Sequence, residues 1–164
     1  EELPENFGES FPNLTRLFLG LNQIKKIPDS VCKLSNLLHL DLHFNKLHAL
    51  PENIGQLFNL EYLDISENFS DLEYLPESIG NLSSLISLSL RHNQIQYLPP
   101  QIGKLTRLEK LELEGNPWRE PPLELVEKGD VKEILSYLRE KMNKGPTTQN
   151  VFSASWLSWF SQFS

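Results

Sequence analysis

The sequence is poor in cysteine, in clustered positive charge and in long apolar runs. Its 164 residues include a single cysteine, Cys32, so no disulfide framework can hold the fold, and a reducing compartment is favoured. The formal net charge is −7, and Lys25 and Lys26 form the only basic doublet. Binding to phosphates requires clustered Lys and Arg, so we expect no nucleic-acid partner.

Other classes of protein are also disfavoured by what is missing. No apolar run approaches the length that crosses a bilayer, so no membrane role is expected. The P-loop pattern G-x-x-x-x-G-K-[ST] is absent, so any GTPase activity would lie outside this segment, and no cofactor is expected. The sequence begins at Glu1 rather than Met, which is expected of a processed form or a fragment. The 39% of hydrophobic residues are enough for the core of one domain.

A motif recurs along most of the chain with a period of 23 residues and a two-residue insertion in its third row. Each row contains L-x-x-L-x-[LI]-x-x-N, and the four complete rows continue to [IL]-P-x-x-[IV]-x-x-L. The alternation predicts a short strand in each row, with inward-pointing leucines and parallel pairing between rows. The rows begin at five leucines: Leu14, Leu37, Leu60, Leu85 and Leu108.

Framework residues follow each predicted strand. An asparagine lies where the chain leaves the strand, and its amide can satisfy backbone groups that the turn leaves unpaired inside the stack. Cys32 occupies a position that is glycine in three other rows, so we interpret it as a small packing residue rather than a reactive thiol. The five asparagines predicted to lie inside are Asn22, Asn45, Asn68, Asn93 and Asn116.

The repeats end near residue 118, and two further segments follow. Residues 119–144 are predicted to form a helical cap, in which Gly129 ends a first helix and Asp130 begins a second. Residues 145–164 form an uncharged tail with aromatic residues at helical spacing, which favours docking on protein over membrane anchoring. We therefore divide the chain into a repeat array (1–118), a cap (119–144) and a tail (145–164).

The repeat pattern resembles that of leucine-rich-repeat proteins. The "LPxxIGxL" segments at residues 50–57 and 75–82, and the ending "GNP", "PP", "LV", "KG" and "ILSYLRE", resemble the intracellular Ras group, which includes Ras-pathway scaffolds, plant Ras-group-related proteins and Roco GTPases. The resemblance implies a right-handed α/β solenoid with a parallel sheet on its concave face. It also implies a cytoplasmic scaffold around small GTPases, but the shared letters are framework and indicate no binding residue.

One file of polar residues invites a metal or catalytic interpretation. His39, Asp41 and His43 alternate along the second predicted strand, which would place the two histidines about 13 Å apart. A single zinc ion cannot bind nitrogens at that separation, so no metal site is predicted. Ser87 and Ser89 share this face, but two rows separate them from the histidine and nothing supplies an oxyanion hole, so no catalytic site is predicted.

The exposed face of the early rows instead combines aromatic residues with carboxylates, as protein-binding patches do. The alternative is that Phe18 and Phe44 merely pack on each other at the sheet edge. Two functions remain open: a noncatalytic scaffold or adaptor, and the sensing or targeting array of a larger Roco GTPase, kinase or ubiquitin ligase. The predicted partner-binding residues are Phe18, Leu21, His39, Asp41, His43, Phe44, Tyr62, Asp64, Glu67 and Arg91.

Overall fold

A computed structural model describes residues 2–69 and 72–144, which contain a five-stranded parallel sheet. Each row supplies one three-residue strand, and each strand pairs with the strand of the next row in sequence order. The predicted α/β solenoid with a parallel sheet is therefore confirmed. The strands are Arg16–Phe18 (β1), His39–Asp41 (β2), Tyr62–Asp64 (β3), Ser87–Ser89 (β4) and Lys110–Glu112 (β5).

The register of the sheet aligns equivalent positions of successive rows. His39 lies beside Tyr62, and Asp41 lies beside Asp64, as the alignment of rows predicts. The central leucines of the strands face the core, where Leu40 and Leu88 are fully buried. The flanking side chains of each strand therefore point outward and form one surface, which we call the strand face.

Short helices close the core on the side of each row away from the strands. A helix, α1 (Phe7–Ser10), contacts the first of four 3₁₀ helices. Small residues recur here because successive rows approach closely: a Cβ atom added to Gly55 would lie 2.1 Å from the carbonyl oxygen of Ser78. Cys32 is buried in this layer, and burial raises the pKa of its thiol to about 12, consistent with a packing role. The 3₁₀ helices are Asp29–Lys33, Ile54–Gln56, Glu77–Asn81 and Pro100–Lys104.

The asparagine after each strand bonds neighbouring rows together. The Oδ1 atom of Asn45 accepts a hydrogen bond from the backbone N–H of Ile24 at 2.9 Å. Its Nδ2 atom donates to the carbonyl oxygens of Leu19 and Leu42 at 2.9 and 3.1 Å. The prediction that all five asparagines lie inside is wrong for Asn22, which is exposed because β1 is the first strand of the sheet. Asn116 is partly buried, and the other three are buried: Asn45, Asn68 and Asn93.

The two-residue insertion changes one bond of this ladder without displacing the next row. In other rows the donor to the asparagine Oδ1 atom is the second residue after the preceding asparagine, as Leu47 is to Asn68. In the row with the insertion, the N–H of Asn68 itself donates to Asn93 at 2.9 Å. Leu85 and Leu88 remain fully buried, so the prediction that the insertion leaves the following strand in place is confirmed.

Two helices follow the last row, and the second of them covers the last complete row. The first, α2 (Leu123–Lys128), ends at Gly129, whose positive φ of 68° terminates the helix as predicted. The second, α3 (Val131–Lys144), packs on the 3₁₀ helix Pro100–Lys104. Its buried residues are Ile134, Leu135 and Leu138, while Val131 and Met142 are only partly buried.

Asp130 supplies half of the predicted capping box at the start of α3. Its Oδ1 atom accepts a hydrogen bond from the N–H of Glu133, whereas the Glu133 carboxylate contacts Lys128. The predicted docking of residues 145–164 lies outside the described residues, and the division of the chain at residues 118 and 144 stays a prediction. Among the residues described, none of the helices combines the length and apolar character needed to span a bilayer.

Candidate functional site

Three aromatic rings lie side by side across the first three strands. The ring centroids of Phe18 and His39 are 4.8 Å apart, and those of His39 and Tyr62 are 5.4 Å apart with nearly parallel planes. The sheet register explains this contact because it places one ring from each strand on the same surface. Phe18 is 61% exposed and Tyr62 is 42% exposed. We call these three residues the aromatic row.

A second aromatic group lies at the turns that follow the strands. The rings of Phe44 and Phe69 meet edge to face at 5.5 Å, and both are about half exposed. Phe69 belongs to the segment with the insertion and was not among the predicted binding residues. The ring of Phe18 contacts His39 and the ring of Phe44 contacts Phe69, which does not favour the alternative in which the two phenylalanines pack on each other. Leu21, at the position equivalent to Phe44 in the first row, is 71% exposed.

The backbone at these turns adopts a left-handed conformation. The residue before the ladder asparagine has a positive φ in every row, with values of 58° at Leu21 and 51° at Phe44. Only the last row has glycine there, at Gly115. A side chain in this conformation raises the backbone energy by about 1 kcal/mol or more, and the ladder bonds hold it there. Large side chains are thus displayed from a fixed turn.

Two carboxylates lie beside each other between the aromatic groups. The Oδ1 atom of Asp41 accepts a hydrogen bond from the N–H of His43 at 3.0 Å and contacts its Nδ1 atom at 2.6 Å. The Oδ1 atom of Asp64 accepts hydrogen bonds from the N–H and hydroxyl of Ser66 at 2.9 and 2.6 Å. One carboxylate oxygen of each residue is therefore held in place by its own strand end.

His43 is held close to this acidic pair. Its hydrogen bond with Asp41 raises the pKa of the imidazole above 6.5; burial opposes the shift, and the charges of Asp41, Asp64 and Glu67 add to it. Gly20 makes room for the ring, because a Cβ atom there would lie 2.3 Å from two of the ring atoms. The glycine in the first row therefore leaves the space that the imidazole of the second row occupies.

The cluster changes the basis of the metal argument made from the sequence. Asp41, His43 and Asp64 each offer a ligand atom, and these atoms all lie within 4.8 Å of one another. The sequence argument compared only His39 with His43 and missed the carboxylate of the neighbouring row. The signal was present, because Asp41 and Asp64 occupy equivalent positions. His39 belongs to the aromatic row instead, and the absence of a metal site stays a prediction.

The backbone of Arg91 is bonded to the predicted site, because its carbonyl oxygen accepts a hydrogen bond from the N–H of Glu67 at 2.8 Å, but its side chain contacts the last row. Its side chain lies 3.8 Å from Glu112 and 3.9 Å from Glu114, both in the last row. Lys110 contacts Glu112 at 3.1 Å, and these cations lower the pKa of Glu112 against the raising effect of its burial. The carboxylates of the last row thus have basic partners within the strand face.

Comparisons with known proteins support the family but not the subgroup. A family model described as a leucine-rich repeat region matches residues 47–128, and a leucine-rich-repeat model matches residues 12–69. No curated protein matches the chain.

Several solved structures are similar. A TDR receptor is 32% identical over 71% of this chain and 20% of its own, with a TM-score of 0.65. The Arabidopsis receptor kinase HAESA, solved with the peptide hormone IDA and the co-receptor SERK1, is 31% identical over 71% of this chain and 20% of its own, with a TM-score of 0.63. A leucine-rich-repeat protein of Leptospira interrogans is 33% identical over 76% of this chain and 37% of its own, with a TM-score of 0.53.

The chain thus spans a fifth to somewhat over a third of the length of these similar proteins. The first family model matches half of the chain, and the second extends the matched region toward the N-terminus. Together with the stacked strands and the asparagine ladder, they establish that this chain belongs to the leucine-rich-repeat proteins.

Proposed function

We propose that this chain is a noncatalytic interaction module, of the scaffold or adaptor type, that binds a protein on the strand face of its first three rows. The observation that carries the proposal is the concentration of exposed aromatic and apolar side chains beside carboxylates on that surface. Such rings supply rigid contact area at a small entropic cost. The proposed contact residues are those predicted from the sequence, except Arg91, together with Phe69.

The similar structures support a protein partner in general. The Arabidopsis receptor kinase HAESA, to which this chain is similar, was solved in complex with a peptide hormone and a co-receptor. A repeat array presents an extended surface of side chains, which suits the recognition of a polypeptide. The repeat array therefore suits binding better than it suits catalysis.

The identity of the partner is a finer proposal. The Ras-group resemblance of the "LPxxIGxL" segments supports a small GTPase or its regulator in the cytoplasm, and the single buried Cys32 fits a reducing compartment. The receptor structures support a second candidate, in which the array senses a ligand for a larger enzyme, because HAESA is a receptor kinase that was solved with a peptide hormone.

A comparison of two phenylalanine variants tests the proposed surface. A partner captured with the full chain is titrated by calorimetry against Phe44→Ala and against Phe58→Ala. Phe58 is 52% exposed, similar to Phe44 at 46%, but follows the 3₁₀ helix Ile54–Gln56 and lies outside the strands and their turns. We expect Phe44→Ala to weaken binding about thirtyfold, as truncation of a central aromatic anchor does, and Phe58→Ala to leave affinity unchanged. Unchanged affinity in Phe44→Ala would reject the surface.

A further inference from the structure

The carboxylates in the two halves of the strand face differ in whether a Lys or Arg side chain is paired with them. In the last two rows Glu112 is paired with Lys110 and Arg91. In the second and third rows, no Lys or Arg within residues 2–69 and 72–144 forms an ion pair with Asp41 or Asp64. The early rows therefore carry negative charge for which a partner can supply the cation.

The two carboxylates, which have no Lys or Arg partner among the described residues although Asp41 contacts His43, are also held in a fixed arrangement. His43 engages the Oδ1 atom of Asp41, and Ser66 engages the Oδ1 atom of Asp64. None of the described residues donates a hydrogen bond to either Oδ2 atom, and the two side chains come from neighbouring strands in register. A cation that spans both carboxylates meets groups that are already ordered, which reduces the entropy lost on binding.

We propose that the partner inserts an arginine side chain between Asp41 and Asp64, next to the aromatic row, while an apolar residue of the same segment contacts Phe44 and Phe69. This inference rests on the proposed function and specifies the chemistry of its partner. A guanidinium group is planar and carries five donors, so it can donate to two carboxylates and stack on an aromatic ring at once. A lysine ammonium is a compact point charge without a stacking face. Arginine therefore fits this site better than lysine.

A peptide-display selection followed by a double-mutant cycle tests the proposal. Random dodecapeptides are selected on the full chain in buffer containing EDTA, which excludes bound metal. We expect enrichment of peptides with an arginine near an aromatic or aliphatic residue. In calorimetry, replacing that arginine by lysine should weaken binding about tenfold, and Asp64→Asn should weaken binding of the arginine peptide by a similar factor. The arginine peptide and its lysine variant should bind the Asp64→Asn protein with equal affinity.

Control variants make the outcomes distinct. Asp64→Asn keeps an oxygen for the Ser66 donors, and circular dichroism establishes that it is folded. Glu114→Gln, a charge removal in the last row, should leave both peptides unaffected, and Asp41→Asn should repeat the effect of Asp64→Asn.

Three results would overturn the arginine proposal. The first is a selection that enriches no peptides containing arginine. The second is a loss of affinity on Asp64→Asn that is the same for the arginine peptide and for its lysine variant. The third is zinc binding by the peptide-free protein, measured by calorimetry without EDTA and abolished by Asp64→Asn, because it would assign the carboxylates to a metal. If the selected peptides lose affinity on Phe44→Ala without this coupling, the binding surface stands and only the arginine assignment fails. Peptides insensitive to Phe44→Ala would reject both.

Discussion

Polar side chains serve two separate purposes in this protein, and burial distinguishes them. Asn68 and Asn93 are almost fully buried and bond to backbone groups of adjacent rows. Asp41 and Asp64 lie partly exposed at the sheet surface and, in their bonds to other described residues, use only one carboxylate oxygen each. Asparagines of the first kind hold the stack together, while carboxylates of the second kind are available to a partner.

Removing a buried ladder asparagine should destabilise the array far more than removing an exposed one. Asn45→Ala leaves the buried N–H of Ile24 without its side-chain acceptor and removes one of the two amide donors to the carbonyl oxygen of Leu19, which should lower the free energy of unfolding by about 1–3 kcal/mol. Asn22→Ala is the matched control, because Asn22 is exposed and water can replace its bonds. Urea unfolding measures both. Equal losses in the two variants would contradict the structural role of burial at this position.

The contact between His43 and Asp41 should make stability depend on pH. The folded-state pKa of His43 lies above 6.5, so its stabilising contribution is fully present below the unfolded pKa and disappears as the pH rises through the raised folded value. We compare the protein with His43→Gln by urea unfolding at about pH 5.5 and pH 8.5. The stability difference between them should be larger at the lower pH. A difference that grows with pH would mean that His43 is not held as a cation by Asp41.

At the scale of secondary-structure elements, periodicity predicted the strands but not how their ends interact. The leucine spacing gave the strand positions and register because each inward leucine must reach the common core. The contact of His43 with Gly20, and the packing of Phe44 on Phe69, depend on left-handed turns and on the path of the insertion. A repeat pattern contains no direct signal for either. The sequence therefore predicted which face of the sheet each residue lies on better than it predicted which side chains that residue contacts.

The helix α3 should stabilise the array through a few buried residues. Leu138 is 1% exposed and packs in the common core, so Leu138→Ala should lower the free energy of unfolding by about 2–5 kcal/mol through lost contacts and a cavity. Met142→Ala should have a smaller effect because Met142 is only partly buried on the same helix. Thermal and urea unfolding of the two variants measure the difference. Similar small effects would mean that α3 is not an integral part of the core.

At the scale of the whole molecule, the fold was predictable because one set of residues repeats five times. Each repetition constrains the same alignment, and the ladder asparagines fix where each strand ends. The candidate site was less predictable because its residues differ from row to row. Asp41 and Asp64 could be placed side by side from the row alignment, yet the hydrogen bonds from His43 and Ser66 that orient them required atomic positions.

The two ends of the array should differ in local stability. The outer edge of β1 has no neighbouring strand among the described residues, whereas the last complete row is covered by α3. In a stacked array each row is stabilised mainly by its immediate neighbours, so a row whose strand has a free edge opens at a lower free energy than an internal one, even though α1 covers the 3₁₀ helix of the first row. Local opening should therefore begin in the first row.

Hydrogen exchange at two equivalent amides can measure this difference. The N–H of Leu19 donates to the backbone carbonyl oxygen of Asp41 at 2.8 Å. The N–H of Ile65 donates to the backbone carbonyl oxygen of Ser89 at 3.1 Å, so both amides are bonded to the following row. We expect Leu19 to exchange at least about tenfold faster, because opening the first row disrupts one interface between rows and opening the third disrupts two. Equal protection would mean instead that the array opens only as a single unit.

If the rows open locally, Leu138→Ala should accelerate exchange at Leu90, near the cap, more than at Leu19, because the loss of packing under α3 acts on the rows closest to it.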